Sequence, residues 1–453
     1  MGANIHLPEE MNGRSGRGQA SINIGLESTR SRLVFALVLL LTAAGFCAEA
    51  VRVSVAARYA ASASPENWRR AANLEPGNAA YWAKLGSMEQ WDLEHGDLRQ
   101  AAASYERAIE ANPHSDRYWV ELAGVYEVLG EASLARAAYG RAQLNHPISA
   151  AVAWRYGHFL LRQGFASEAC AQFRRALVAD LELTGGAVAG CWKTDLYPSQ
   201  TITEILPRQS RYYFKALDYF LQTREIDAAL RVWDGLVGLE KRFELSQAVP
   251  LVNDAISADR IGDAQRVWLQ ALEISGWPRS TKEGPSLITN GGFEHDLANG
   301  GFDWSTQEHP DASFALDAGV AHSGAQSLRI SFDGGSNLDF QHLVQYVPVE
   351  PAHRYRFTGY LRSSDLSTDS GIRFMIADPR HHDLPRNFTV GVTGSQPWRQ
   401  IETEFVTGPE TRAVRIALRR TPSAKFDNKF RGTVWVDDVS LLLATTSEKG
   451  PRP

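Results

Sequence analysis

The 453-residue chain has only three cysteines, Cys47, Cys170 and Cys191, and no CxxC pair. That scarcity excludes a disulfide scaffold and a cysteine zinc site, although Cys170 and Cys191 could still bridge in an oxidising compartment. Basic excess is missing as well. Forty-seven Lys and Arg face 52 Asp and Glu, for a net charge of -5, which argues against a nucleic-acid partner, because such proteins present a basic face. GxSxG, HExxH, glycine-rich phosphate loops and GxGxxG are all absent, so the usual local marks of hydrolases, zinc proteases and nucleotide enzymes are lacking. Glu402 and Glu404 offer a carboxylate pair, but strand alternation sends both to the solvated side. The chain therefore reads as a binding protein and not an enzyme.

Long apolar runs are nearly absent too, with one exception. "LVFALVLLLTAAGFCA", Leu33 to Ala48, spans about 24 Å as a helix, and continuation to Val51 brings it close to the ~30 Å of a bilayer core. Arg14, Arg17, Arg30 and Arg32 precede it, the flank expected on the cytoplasmic side. The expectation is a cytoplasmic tail over 1–32, a transmembrane signal anchor over 33–51, and export of the remainder. Cleavage after "AEA" at Ala50, giving a secreted or periplasmic protein, is the alternative. Cys47 is no lipidation site, since Phe46 occupies the position where a small residue is needed.

Beyond a linker or first helix at 52–78, one period dominates. Ala101, Ala135 and Ala169 are 34 apart, as are Tyr105, Tyr139 and Phe173, and Ala108, Ala142 and Ala176. Pro113 and Pro147, and Gly130 and Gly164, share that shift. A fixed period of this size implies helical hairpins, with Ala at the close crossing, an aromatic beside it and Pro after the second helix. After Asp180 the register is lost, which marks an insertion at 181–210. It returns as Ala229 and Ala264, Trp233 and Trp268, and Leu236 and Ala271, each pair 35 apart. These residues resemble the tetratricopeptide repeat (TPR), and the resemblance implies an all-α solenoid over 79–276 that binds a protein partner. Trp119, Trp154, Trp233 and Trp268 are expected to pack within it.

A linker at 277–286 then leads to a different composition. "QSLRISF", "RYRFTGYLRSS", "RQIETEF" and "RAVRIALRR" alternate with period two, the pattern of antiparallel strands. The fold class is thus multidomain: a transmembrane helix, a helical-repeat solenoid, then an all-β jelly-roll sandwich over 287–443, with a tail at 444–453. "NGGFE", "HSGAQSLRI", "QYVPVEPAHRYRFTGYLRS", "PWRQIETEF" and "VWVDDVSL" resemble, in that order, the carbohydrate-binding modules of the galactose-binding-like superfamily.

That resemblance implies a structural calcium held by Glu294, by Asp437 or Asp438, and by backbone near Ser323 and Gly324. The alternative leaves both aspartates solvated at a strand end. Trp304 and Trp398 match packing positions of the family. Alternation puts Arg354, Arg356, Tyr360 and Arg362 on one face of their strand, with Tyr346, Arg373, Arg415 and Arg419 on the polar faces of neighbouring runs. If those strands share a sheet, its outer face gathers Arg around two Tyr and suits an acidic polysaccharide. The alternative is a solvated face. "DPRHHDLPRNF" at 378–388, with His381, His382 and Asp383, reads as a surface loop or the rim of a ligand cleft.

The combination of domains resembles chains of bacterial envelope systems that assemble or export exopolysaccharide. It implies a single-pass inner-membrane adaptor whose repeats hold a protein and whose jelly roll holds a glycan. The competing readings are a structural scaffold with a ligandless jelly roll and an unrecognised carbohydrate-active enzyme.

Overall fold

The computed structural model describes residues 28–92, 96–192, 205–277, 286–381 and 383–444. His382 and the middle of the expected insertion, 193–204, lie outside them. Two compact units divide the chain, 1–147 and 148–453.

The first unit opens with α1, Thr29–Ala60, a 32-residue helix of about 48 Å. Its apolar stretch is 0% buried, and it is long and apolar enough to cross a membrane. The helix runs unbroken through Ala48 to Ala50 and nine residues past Val51. Helices α2 (Pro65–Leu74), α3 (Ala79–Trp91), α4 (Leu98–Ala111), α5 (Asp116–Val128) and α6 (Ala132–Asn145) follow. The period-34 positions are its core: Ala101, Ala108, Ala135 and Ala142 are 0% exposed, while Tyr105 and Tyr139 are 2% exposed. Trp119 donates its Nε1 proton to the Pro113 carbonyl at 2.9 Å, so this aromatic locks the start of one helix onto the end of the preceding one.

In the second unit α7 (Ala150–Arg162), α8 (Ala166–Ala179), α9 (Thr184–Trp192), α10 (Ser210–Gln222), α11 (Ile226–Val237), α12 (Val249–Ser257) and α13 (Ile261–Ser275) continue the helical part. Ala169, Phe173 and Ala176 are 0% exposed, as are Ala229, Trp233, Ala264 and Ala271. The Trp154 ring lies 5.2 Å from that of Phe173. Cys170 of α8 and Cys191 of α9 form a disulfide, with Cα atoms 6.3 Å apart, and it pins the first part of the insertion to the repeat before it. Closing a loop of this size restricts the unfolded chain by about 3 kcal/mol. Cys170→Ser with Cys191→Ser is therefore expected to lower unfolding stability by about that amount, and chemical denaturation with and without reductant reads it.

The C-terminal part is a sandwich of two antiparallel sheets with five strands each. The first sheet has the order β1 (Ser305–Thr306), β4 (Phe340–Pro348), β9 (Ala413–Arg420), β6 (Arg373–Ala377), β7 (Asn387–Phe388). The second has β2 (Ala312–Asp317), β3 (Ser327–Asp333), β10 (Arg431–Leu443), β5 (Arg354–Leu366), β8 (Gly394–Val406). Alternate residues of both sheets, among them Phe357, Leu361, Phe374, Ile416, Val434 and Val436, fill the space between them. Trp304 is 0% exposed there and stacks on Phe293 at 5.4 Å, the packing role expected of it.

Candidate functional site

The Tyr and Arg residues expected on one face do not share a sheet. Arg356, Tyr360 and Arg362 belong to β5 of the second sheet, whereas Tyr346, Arg373 and Arg415 lie on β4, β6 and β9 of the first. Period-two alternation assigns each side chain to the correct side of its own strand, but it carries no information on which strands are neighbours. The two trios therefore sit on opposite outer faces of the sandwich.

On the first sheet the rungs are well defined. Tyr346 pairs with Arg415 and Arg415 with Ala377, while Val344 pairs with Ala417 and Ala417 with Met375. Val344, Met375 and Ala417 form a small buried cluster on this outer side. Small alanines in the middle strand leave a trough, and Arg415 lies in it, its Nη2 donating to the Gln341 carbonyl at 3.5 Å. Burial lowers the Arg415 pKa from its ordinary value. Arg373, next to Arg419 in register, stands over the Phe388 ring at 5.6 Å. Arg419 is held by Asp339. Among the described residues neither Arg373 nor Arg415 has a carboxylate partner.

A cleft of about 770 Å³ opens above this trough. Tyr346, Val344 and Arg415 floor it, and the loops at 300–303, 378–381 and 410–412 rim it. Its other wall is helical, from Asn253, Ser257, Asp259 and Ile261. The "ANGGF" turn explains why helix and sandwich meet there. The Gly301 amide donates to Asn253 Oδ1 at 2.8 Å, and a Cβ on Gly301, which has φ +64°, would stand 2.6 Å from the Trp268 ring. Only glycine permits that approach. Across the cleft, Arg380 donates to the Ile256 carbonyl at 3.3 Å and to the Ser257 carbonyl, and its Nε lies 3.8 Å from Asp259.

Residues 285–425 match the family model of a carbohydrate binding domain. Similar solved structures fall into two groups. One is the subject of "CBM4 structure and function", 18% identical, covering 35% of this chain and 99% of that one, with a TM-score of 0.26. Two have helical counterparts: Pseudomonas aeruginosa pilF, 19% identical over 44% of this chain and 93% of that one, TM-score 0.26, and YrrB, "a TPR protein with an unusual peptide-binding site", 12% identical over 47% and 95%, TM-score 0.25. No curated protein matches the chain.

Within the carbohydrate-binding-like domain, the rim loop 378–381 is set by Asp378, whose side chain is 5% exposed. Burial alone would raise its pKa, but four donors outweigh it and bring it to about 2. They are Thr411 Oγ1 at 2.5 Å, the Arg380 and His381 amides at 2.8 and 3.0 Å, and His381 Nδ1 at 3.0 Å. The same contact raises the His381 pKa. A depressed carboxylate pKa stabilises the fold above the unfolded value near 3.8 and loses that contribution as pH falls toward 2. Asp378→Asn is accordingly expected to flatten the stability loss between about pH 4 and 2, measured by denaturant melts across that range. His381, with its raised pKa, contributes below its unfolded value and loses the contribution as pH rises through the folded one.

The residues expected to hold calcium come together at the loop 322–325. Asp437, 0% exposed, accepts from the His322 and Ser323 amides at 2.7 and 3.2 Å, yet burial pushes its pKa up to about 6. Asp438 accepts from Ser323 Oγ at 2.8 Å, and Glu294 accepts from the Ala325 amide at 2.9 Å. Strict alternation would separate Asp437 from Asp438. A register shift between Asp437 and Ser440, with Asp438 at φ +45°, brings both to the same loop. Gly324 completes the turn, since a Cβ there would overlap Glu294 Oε1. Among the described residues no group of three or more His, Cys, Asp and Glu has metal-holding geometry.

The second-sheet trio is already engaged. Arg356 pairs with Glu404 at 2.8 Å, Tyr360 stacks on His322 at 3.6 Å, and Arg362 lies over Trp435 at 5.5 Å. Glu404 is thus half of an outward ion pair. Trp398 is partly exposed, 5.7 Å from His322. Sequence reasoning missed Asn253, Ser257 and Asp259 altogether. The signal available was the adjacent Gly300 and Gly301, a place where another element must approach the backbone closely.

Proposed function

We propose that the chain is a membrane-anchored, exported adaptor whose helical repeats hold a protein partner and whose C-terminal domain binds a polysaccharide of the cell envelope, in exopolysaccharide assembly or export. The observation that carries the glycan half is the Tyr346–Arg415 rung on the floor of a 770 Å³ cleft. Ligand clefts fall in this size range and combine apolar surface with a few placed polar groups. Tyr346 offers a ring face to sugar C–H groups. Arg415 and Arg373 offer paired N–H donors to carboxylate or sulfate. The α1 helix is long and apolar enough to cross a membrane, which supports the anchor, and the Cys170–Cys191 disulfide fits an oxidising, extracytoplasmic setting. Binding of the full chain to immobilised alginate and polygalacturonate, with neutral xylan and laminarin as comparisons, tests this. Selective retention by the acidic polymers is expected. Retention by none would favour the scaffold whose jelly roll has no ligand.

Glu294, Asp437, Asp438 and the Ser323 region would hold a calcium ion by turning the three carboxylates from the 322–325 loop donors that they accept from in the structure. What supports it is a buried carboxylate at Asp437 beside a second one, a charge that a hard cation would offset. Calcium is expected to raise the melting temperature over chelator by several degrees, consistent with about 1–2 kcal/mol of linkage, and Asp437→Asn is expected to abolish the difference. Equal melting in both conditions would remove calcium from the account.

A further inference from the structure

The α12–α13 hairpin contributes more than packing. Asn253 and Ser257 lie one helical turn apart on one face of α12, and both are exposed, whereas the neighbouring Val252, Ala255 and Ile256 are buried. Their exposed side faces the cleft, together with Asp259. The wall is also held in place. Trp268 packs on Gly301, the Gly301 amide is taken by Asn253 Oδ1, and Arg380 ties the end of α12 to the rim loop. A preorganised wall costs little ordering on binding.

We infer that this hairpin is part of the glycan site, with Asn253 Nδ2, the Ser257 hydroxyl and the Asp259 carboxylate meeting sugar hydroxyls opposite Tyr346 and Arg415. Recognition then requires the helical and β parts in their docked arrangement. This rests on reading the outer face of the first sheet as the glycan site.

The test uses the full chain and calorimetric titration with alginate, polygalacturonate, xylan and laminarin oligomers. Ser257→Trp fills the cleft from the helical side without touching the sheet. It is expected to weaken the best-binding oligomer by about tenfold or more, with melting temperature unchanged and Ser257→Ala weakening it by a smaller factor. Wild-type affinity in Ser257→Trp, with loss in Tyr346→Ala/Arg415→Ala, would confine the site to the sheet and overturn the inference alone. No loss in either variant, or no oligomer binding to the wild type, would overturn the underlying reading and the inference with it. If Ser257→Trp melts early, Asp259→Ala decides: a change of about threefold or more in affinity or in the ratio of acidic to neutral oligomers upholds the inference, and no change overturns it.

Discussion

Tyr346→Ala combined with Arg415→Ala is expected to lower affinity for the bound polysaccharide by about 100-fold or more, with the fold intact. Losing a charge-assisted hydrogen bond costs about 1.5–3 kcal/mol, and losing the aromatic face adds to it, so about 3 kcal/mol is a conservative sum. The side chains are only partly buried and sit outside the sandwich core, so stability should change little. Arg356→Ala with Arg362→Ala provides the control. Those arginines occupy the other sheet, and Arg356 is already satisfied by Glu404, so that pair is expected to stay within about twofold of wild type. Titration of the three proteins side by side reads both outcomes.

Gly301→Val should have the largest effect on architecture. It forces a β-branched residue to φ +64° and drives a Cβ to within 2.6 Å of Trp268. Backbone strain of this kind costs about 1–3 kcal/mol, and the overlap adds more, so a loss of about 3 kcal/mol or greater is expected. The damage falls on the contact between the α12–α13 hairpin and the "ANGGF" turn and spares the interior of the sandwich. Scanning calorimetry should therefore show the helical and sandwich transitions moving apart, with glycan affinity falling too. Unchanged melting would mean that this turn does not hold the two parts together.

Much of the architecture was legible because it follows from periodicity. Ala101, Ala135 and Ala169 had to be buried if a 34-residue unit repeats, and each is 0% exposed. Alternation likewise separated Phe357 and Leu361, inside, from Arg356 and Arg362, outside. The site was legible only in part, because it depends on which strands are neighbours. Tyr346 and Arg415 meet because β4 pairs with β9, about 70 residues downstream, and period two is silent on long-range pairing. Asp437 and Asp438 share a loop only through a register shift, which alternation cannot anticipate. The helical wall was invisible for a further reason. Asn253 and Ser257 look like ordinary solvated helix positions until the turn at Gly300 and Gly301 brings the sandwich against them.

The most direct test of the central claim, that the outer face of the first sheet binds glycan, is oxidative footprinting of the full chain with and without the retained polysaccharide. Tyr346 and Tyr360 are both partly exposed and lie on opposite faces, so each reports on one face within the same sample. Protection of Tyr346 with Tyr360 unchanged is the predicted result. Protection of Tyr360 with Tyr346 unchanged would place the ligand on the second sheet and contradict the account.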